Sequence, residues 1–204
     1  IMVFEVFGRY AGFTALLPTL AGAADRCVIP ESPFDISRLT ELLVADRRRN
    51  PERFSAVLVS EGAMLQGGEM VFQGKETDQY GHAKLGGIGS QVSAMVKELS
   101  SRYNDGRKID MISMNLSYLV RSGEPDALDS VVPLVYGNLA IDSILRGTFG
   151  VMVALRNGRY GSVPIDTVVA SKKVVDVAKY YDADRYRPTY AGLELSPMLV
   201  VGGA

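Results

Sequence analysis

Short apolar runs rich in β-branched residues alternate with amphipathic stretches of helical period, and that alternation leaves few folds open to this chain. The strand candidates are Met2 to Phe7, Arg26 to Pro30, Ala56 to Ser60 and Ile109 to Asn115; the helices between them run from about Gly12 to Ala24, Ser37 to Arg49 and Gly89 to Tyr103. Single strands separated by helices predict an α/β layer structure. The second helix carries its own start and stop: Asp35 or Ser37 can cap it, Glu41 lies in its early turns, and Asn50-Pro51 ends it. After Arg121 the pattern changes to one long helix from about Pro125 to Arg146, then the arms VMVALR and YGSVPI around Asn157-Gly158, a dipeptide favoured in type I′ turns. A last helix is predicted from Ser171 to about Tyr181, followed by the apolar tail LELSPMLVVGGA. The expected division is an α/β region over residues 1–122 and, over 123–204, a helix, hairpin and helix packing back on it.

Length permits a sizeable core: 204 residues suit one large domain or a domain with an appendage. With 22 Lys and Arg against 23 Asp and Glu, the net charge of -1 carries no polyanion signal and argues against nucleic acid as a partner. The one cysteine, Cys27, cannot form an internal disulfide, and its setting in RCVIP predicts a buried, inert thiol. No run of about 18 apolar residues predicts a membrane span, no signal peptide opens the chain, and a cytoplasmic protein without a membrane partner is expected. Ile1 falls inside a strand, so the chain reads as a piece of something longer.

Four places carry candidate chemistry. FGRYAG ends an apolar strand at Gly8 and Arg9, at the carboxyl edge where open α/β sheets hold ligands, and the planar fork of Arg fits phosphate oxygens; the bland reading is a turn with a surface arginine. VLVSEGA delivers Glu61 from a strand, where a carboxylate can accept hydrogen bonds from sugar hydroxyls or simply cap the loop. SYLVRSGEPDALD brings Tyr118 and Arg121 to a Gly123 turn ahead of a helix start, a setting that favours anions, although Glu124, Asp126 and Asp129 already complement that dipole. KLGGIGSQV is glycine-rich but lacks P-loop spacing and the P-loop lysine, so a plain turn is expected, with His82 a loop residue. The basic run Arg47, Arg48, Arg49 can be read as a phosphate patch; a solvated helix end complementing the dipole is the preferred reading.

Five blocks in order, FEVFGRYAGFTAL, AGAADRCVIPE, VLVSEG, NLSYLVRSGEPDALDSVVPLVYGNLAID and LRNGRYGSVPID, resemble the carboxyl-terminal half of the 6-phosphofructokinases. The family's MGR signature stands here as Phe7, Gly8, Arg9, and its LGHxQRGGxP block as Leu116 to Pro125. Tyr118 in place of His, and RSG in place of RGG, resemble the pyrophosphate-dependent branch. The resemblance implies a three-layer, parallel-sheet sugar-phosphate domain of the phosphofructokinase fold. It also implies Mg2+-dependent phosphoryl transfer from pyrophosphate or ATP to the 1-hydroxyl of fructose 6-phosphate. By the same resemblance Arg9 lies against the reacting phosphoryl, with Phe7 and Gly8 beside it, Glu61 holds sugar hydroxyls, and Tyr118 and Arg121 bind the 6-phosphate. A homo-oligomer is implied too, yet Ile112 stands where the family often has an arginine reaching a neighbouring subunit. The GGDD or GGDG loop and the TxD block that supply the donor site and the catalytic base do not occur in this sequence, which places most of the Mg2+ site outside it. The alternative is a non-catalytic sugar-phosphate-binding or regulatory subunit.

Overall fold

The computed structural model describes residues 1–77, 83–170 and 172–190, with the side chains of 72–77, 83–85 and Tyr118 outside the description. His82 and the apolar tail therefore lie outside the described residues. In chain order the first unit contains β1 (Met2–Val6), α1 (Phe13–Leu20), β2 (Arg26–Val28), α2 (Ile36–Arg49), β3 (Ala56–Ser60), an antiparallel pair β4 (Phe72–Thr77) and β5 (Ala83–Leu85), α3 (Ile88–Tyr103) and β6 (Ile112–Asn115). The main sheet is wholly parallel in the order β2-β3-β1-β6, with Val3 paired to Val57 and Ser113. Right-handed crossovers put α1, which connects β1 to β2 in one direction along the sheet, on one face, and α2 and α3, which travel the other way, on the opposite face. The α/β layering expected from the alternation, and the parallel sheet that the resemblance implied, are both observed.

The core follows from that layering. Val3, Val57 and Val59 of the strands and Leu39, Leu43, Val92 and Val96 of α2 and α3 are fully buried, and α2 packs against α3. Asp35 caps α2, its Oδ1 accepting from Arg38 N–H at 2.6 Å. The first helix is shorter than predicted because Gly22, at φ +88°, turns the chain: Gly22 N–H donates to Thr19 O and Ala23 N–H to Pro18 O. β6 likewise starts late, at Ile112, since Ile109 N–H is taken by Ser100 Oγ of α3. On the α1 face an open apolar groove of about 540 Å³ runs past Phe4, Phe13, Leu17, Leu58, Leu116 and Val120.

Residues 174–190 group with this unit, and residues 121–173 form the second one. The predicted helix from Ser171 reduces to one turn, α6 (Val177–Tyr180), because Asp176 caps it and the preceding Val175 N–H is held at 2.8 Å by Glu31 Oε1. After α6 come β9 (Tyr181–Asp182) and β10 (Arg187–Pro188), which cover the β2 edge: Cys27 N–H donates to Tyr186 O, and Tyr181 Oη donates to Cys27 O at 2.7 Å. Burial pushes the Cys27 thiol up to about 12, in agreement with the inert thiol expected. Arg26, at the start of β2, makes a two-pronged bond to Asp46 of α2 at 2.6 and 2.8 Å and donates to Arg185 O.

The second unit holds α4 (Ala127–Leu145), the hairpin β7 (Val151–Arg156) and β8 (Arg159–Pro164), and α5 (Ile165–Ala170). Asn157 and Gly158 take the positive φ values, 49° and 76°, that a type I′ turn requires. Tyr136 of α4 meets Tyr160 of β8 edge to face. None of α4's residues is buried, and Leu134, Ile141 and Leu145 are among its exposed side chains. By length and composition alone this helix, with a mean hydropathy of 1.3, is long and apolar enough to cross a membrane, which the sequence reading did not anticipate; it carries Asp129, Asn138, Asp142 and Pro133.

Replacing Asp46 with Ala strands the Arg26 guanidinium, whose side chain is 5% exposed, with one carbonyl acceptor. Loss of one partner of a buried pair predicts about 3 to 5 kcal/mol of destabilisation, to be read from urea unfolding followed by circular dichroism.

Candidate functional site

Two neighbouring strands deliver the candidate residues. β1 ends at Val6 and releases Phe7, Gly8 and Arg9; β3 ends at Ser60 and releases Glu61; the strands are parallel and in register, so both sets emerge at one carboxyl edge. There the two exits are laced together. Glu61 N–H donates to Val6 O at 2.9 Å, Gly62 N–H to Gly8 O at 3.3 Å, and Gly8 N–H to Glu61 Oε1 at 3.4 Å. Gly62 is a steric requirement: a Cβ there would lie 1.9 Å from Arg9 O. Gly8, at φ +151°, has Ala11 O, Thr14 Oγ1 and Ser60 Oγ within 3.2 Å of where its Cβ would be. The sequence-predicted Phe7, Gly8, Arg9 and Glu61 are thus brought together as one cluster, a guanidinium and a carboxylate presented from a tightly packed turn.

Thr14 and Ser60 belong to the same cluster and were not singled out in the sequence. Thr14 Oγ1 donates to Phe7 O, holding the strand exit from the first turn of α1. Ser60 is fully buried, and among the described residues its Oγ is the one buried side-chain polar atom without a hydrogen-bond partner. Behind the turn, Gly12 N–H donates to both oxygens of Glu31, and a Cβ at Gly12 would come within 2.4 Å of Ile29.

On the other side of β1, β6 runs into a 3-10 turn, Ser117–Arg121. Tyr118 is placed in that turn by its backbone, its side chain lying outside the description. Arg121 closes the turn and opens the second unit, where its side chain is exposed. The helix start expected to favour an anion is filled from within: Asp126 Oδ1 accepts from Asp129 N–H at 2.9 Å. Ile112 is 57% exposed on the edge strand, an apolar surface residue where the resemblance calls for a cation.

KLGGIG is the plain turn expected, and the reason is specific. The anion on its amides is Glu5, 3% exposed in mid-strand, whose carboxylate accepts from Gly87 N–H at 3.0 Å, Gly89 N–H at 2.8 Å and Asn115 Nδ2 at 2.9 Å. Sequence reasoning passed over Glu5, although a charge inside MVFEV was a signal: buried carboxylates have to be bonded. Arg48 pairs at 3.6 Å with the exposed Asp105, and both it and Arg49 are exposed, the solvated helix end that was preferred. Among the described residues no three His, Cys, Asp or Glu side chains converge on a point.

The geometry now has a family to stand in. Residues 1–144 match the model of the phosphofructokinase family. The chain belongs to that family. It is 33% identical over 183 residues to a pyrophosphate--fructose 6-phosphate 1-phosphotransferase of Amycolatopsis methanolica, a match covering 90% of this chain and 51% of the relative. An ATP-dependent 6-phosphofructokinase of Streptomyces coelicolor is 35% identical over 184 residues, covering 90% and 52%. The chain therefore spans about half the length of the curated relatives it matches. In fold it is similar to a pyrophosphate-dependent phosphofructokinase from Nitrosospira multiformis, with a TM-score of 0.73 and 21% identity over 95% of this chain and 46% of that one.

Gly62→Ala tests the packing of the phosphofructokinase turn. Forcing a methyl against Arg9 O predicts a loss of about 1 to 3 kcal/mol, measurable by thermal or urea unfolding, because backbone rather than a flexible side chain has to give way.

Proposed function

We propose that this chain forms the fructose 6-phosphate side of a phosphofructokinase active site. The reading rests on one observation above the others: the exits of β1 and β3 are locked together so that Arg9 and Glu61 leave the same sheet edge from adjacent strands. In this proposal Arg9 faces the transferred phosphoryl group, with Phe7 and Gly8 shaping the turn. Glu61 accepts hydrogen bonds from sugar hydroxyls, and Tyr118 with Arg121 holds the 6-phosphate. The reaction is attack by the 1-hydroxyl oxygen of fructose 6-phosphate on the terminal phosphorus of the donor. The bridging P–O bond breaks, the hydroxyl proton passes to a base, and the products are fructose 1,6-bisphosphate and phosphate or ADP. Positioning and charge stabilisation carry most of such a transfer, and a guanidinium at the phosphoryl is suited to both.

The base, the Mg2+ site and most of the donor site are assigned by the resemblance to motifs that this sequence does not contain; Mg2+ bound there would supply charge neutralisation of the donor phosphates. The 204-residue chain alone is expected not to phosphorylate fructose 6-phosphate at a useful rate, which a coupled assay on the purified chain checks. A cytoplasmic, homo-oligomeric enzyme is the accompanying expectation. Pyrophosphate is the proposed donor, from the SYLVRS form of the 3-10 turn; relatives of nearly equal identity bear both pyrophosphate- and ATP-dependent names. A non-catalytic sugar-phosphate-binding subunit would need the same four side chains without the base.

Rates for the full-length protein with each donor, at saturating fructose 6-phosphate and Mg2+, decide among these. Pyrophosphate is expected to support a reversible reaction. Activity with ATP alone reverses the donor assignment, and sugar-phosphate binding with neither donor active establishes the binding subunit.

Substitution separates the two arginines. Arg9→Ala is expected to act mainly on kcat, since a cation at the transferred group matters most where charge develops. Arg121→Ala is expected to raise KM for the sugar phosphate, by about 2 to 4 kcal/mol of lost binding if the pair is desolvated. Steady-state kinetics showing the opposite pattern exchange their roles.

A further inference from the structure

The three-way junction at Glu5 has no part in the Arg9 and Glu61 cluster, yet it lies between the two segments that carry the proposed sugar-phosphate contacts. Its carboxylate divides its work. Oε2 accepts from Gly89 N–H at 2.8 Å, Oε1 accepts from Asn115 Nδ2 at 2.9 Å, and Gly87 N–H sits 3.0 Å from both oxygens. The backbone repeats the link: Glu5 pairs in register with Asn115, and Glu5 O accepts from Leu116 N–H at 2.8 Å. Gly89 leaves no slack in this arrangement, since a Cβ there would lie 2.8 Å from Glu5 Cβ.

Asn115 is the last residue of β6, an edge strand whose four residues are all exposed. Such a strand has little side-chain packing to decide where its end lies. The bonds to Glu5 do that instead, immediately before Leu116, whose carbonyl accepts from Leu119 N–H at 2.6 Å and closes the 3-10 turn. A charged acceptor makes the Asn115 bond stronger than a neutral pair, and an amide is the side chain that can donate there without adding charge.

We propose that Glu5 and Asn115 are a positioning pair that sets the 3-10 turn Ser117–Arg121 for its grip on the sugar phosphate, an inference that rests on the sugar-phosphate reading of that turn. Neither side chain touches substrate. Their effect is on where the turn begins, so it falls on binding of the sugar phosphate rather than on the chemical step.

The division of the carboxylate allows an exchange test in the full-length protein. Glu5→Gln keeps an acceptor for Gly87 and Gly89, and Asn115 can turn its amide over so that its oxygen accepts from the new donor, so this change alone is expected to be mild. Asn115→Asp sets two carboxylates against each other. Asn115→Asp is expected to raise KM for fructose 6-phosphate about tenfold, as loss of a hydrogen bond to a charged group predicts, with kcat within about twofold. The double variant, Glu5→Gln with Asn115→Asp, restores donor to acceptor and is expected to recover KM to within about threefold of the parent. Asn115→Ala leaves the contacts of Glu5 with Gly87 and Gly89 intact, so it carries the test if Glu5→Gln does not fold; the same KM rise at an unchanged kcat is expected, with a Tm lowered by the donor that the buried carboxylate loses. An unchanged KM in Asn115→Ala, or no recovery in the exchanged pair, overturns the proposal. A parent protein that neither binds nor turns over fructose 6-phosphate fails the sugar-phosphate reading itself, an outcome distinct from either.

Discussion

A carboxylate in the middle of a buried parallel strand costs several kcal/mol unless donors surround it, and Glu5 organises its surroundings in meeting that cost. The amides of Gly87 and Gly89 at the start of α3 and the side chain of Asn115 at the end of β6 converge on it. A helix start, a central strand and an edge strand are thereby held to one point. The same contact explains why a glycine-rich helix entrance is no ligand cradle: its positive end is already matched by a charge from within the chain.

The candidate site depends on contact of a different kind. The backbone of Arg9 occupies space that only a glycine at position 62 leaves open, and Gly8 takes a backbone angle that other residues rarely adopt. Strands of a parallel sheet all point their carboxyl ends the same way. Once β1 and β3 are adjacent, Arg9 from one and Glu61 from the other leave the same edge without any loop of unusual length.

Much of this was legible in the residues. The alternation of VFEV, RCV, AVLVS and ISMN with amphipathic helices predicted the sheet, and Asp35 and Asn157-Gly158 predicted a cap and a turn as observed. Phe7, Gly8, Arg9 and Glu61 were recognisable because turn glycines and polar side chains follow apolar strands. What was missed depends on partners distant in sequence. Glu5 looks like an interruption of a strand until Gly87, Gly89 and Asn115 are placed around it. The helix predicted from Ser171 gave way because Glu31, more than a hundred residues earlier, claims the amide of Val175. Local propensity cannot see either contact. α4 reads as an ordinary apolar helix, and nothing in its periodicity announces that none of its residues is buried.

The single cysteine gives the sheet an internal clock. Cys27 sits in β2 with zero exposure, its carbonyl capped by the Tyr181 hydroxyl, and its thiol is raised far from the range in which thiolates form. Alkylation of that sulfur requires β9 and β10 to leave the β2 edge or the sheet to open. Its rate therefore reports how often this side of the protein breathes, on a native chain and without an engineered label.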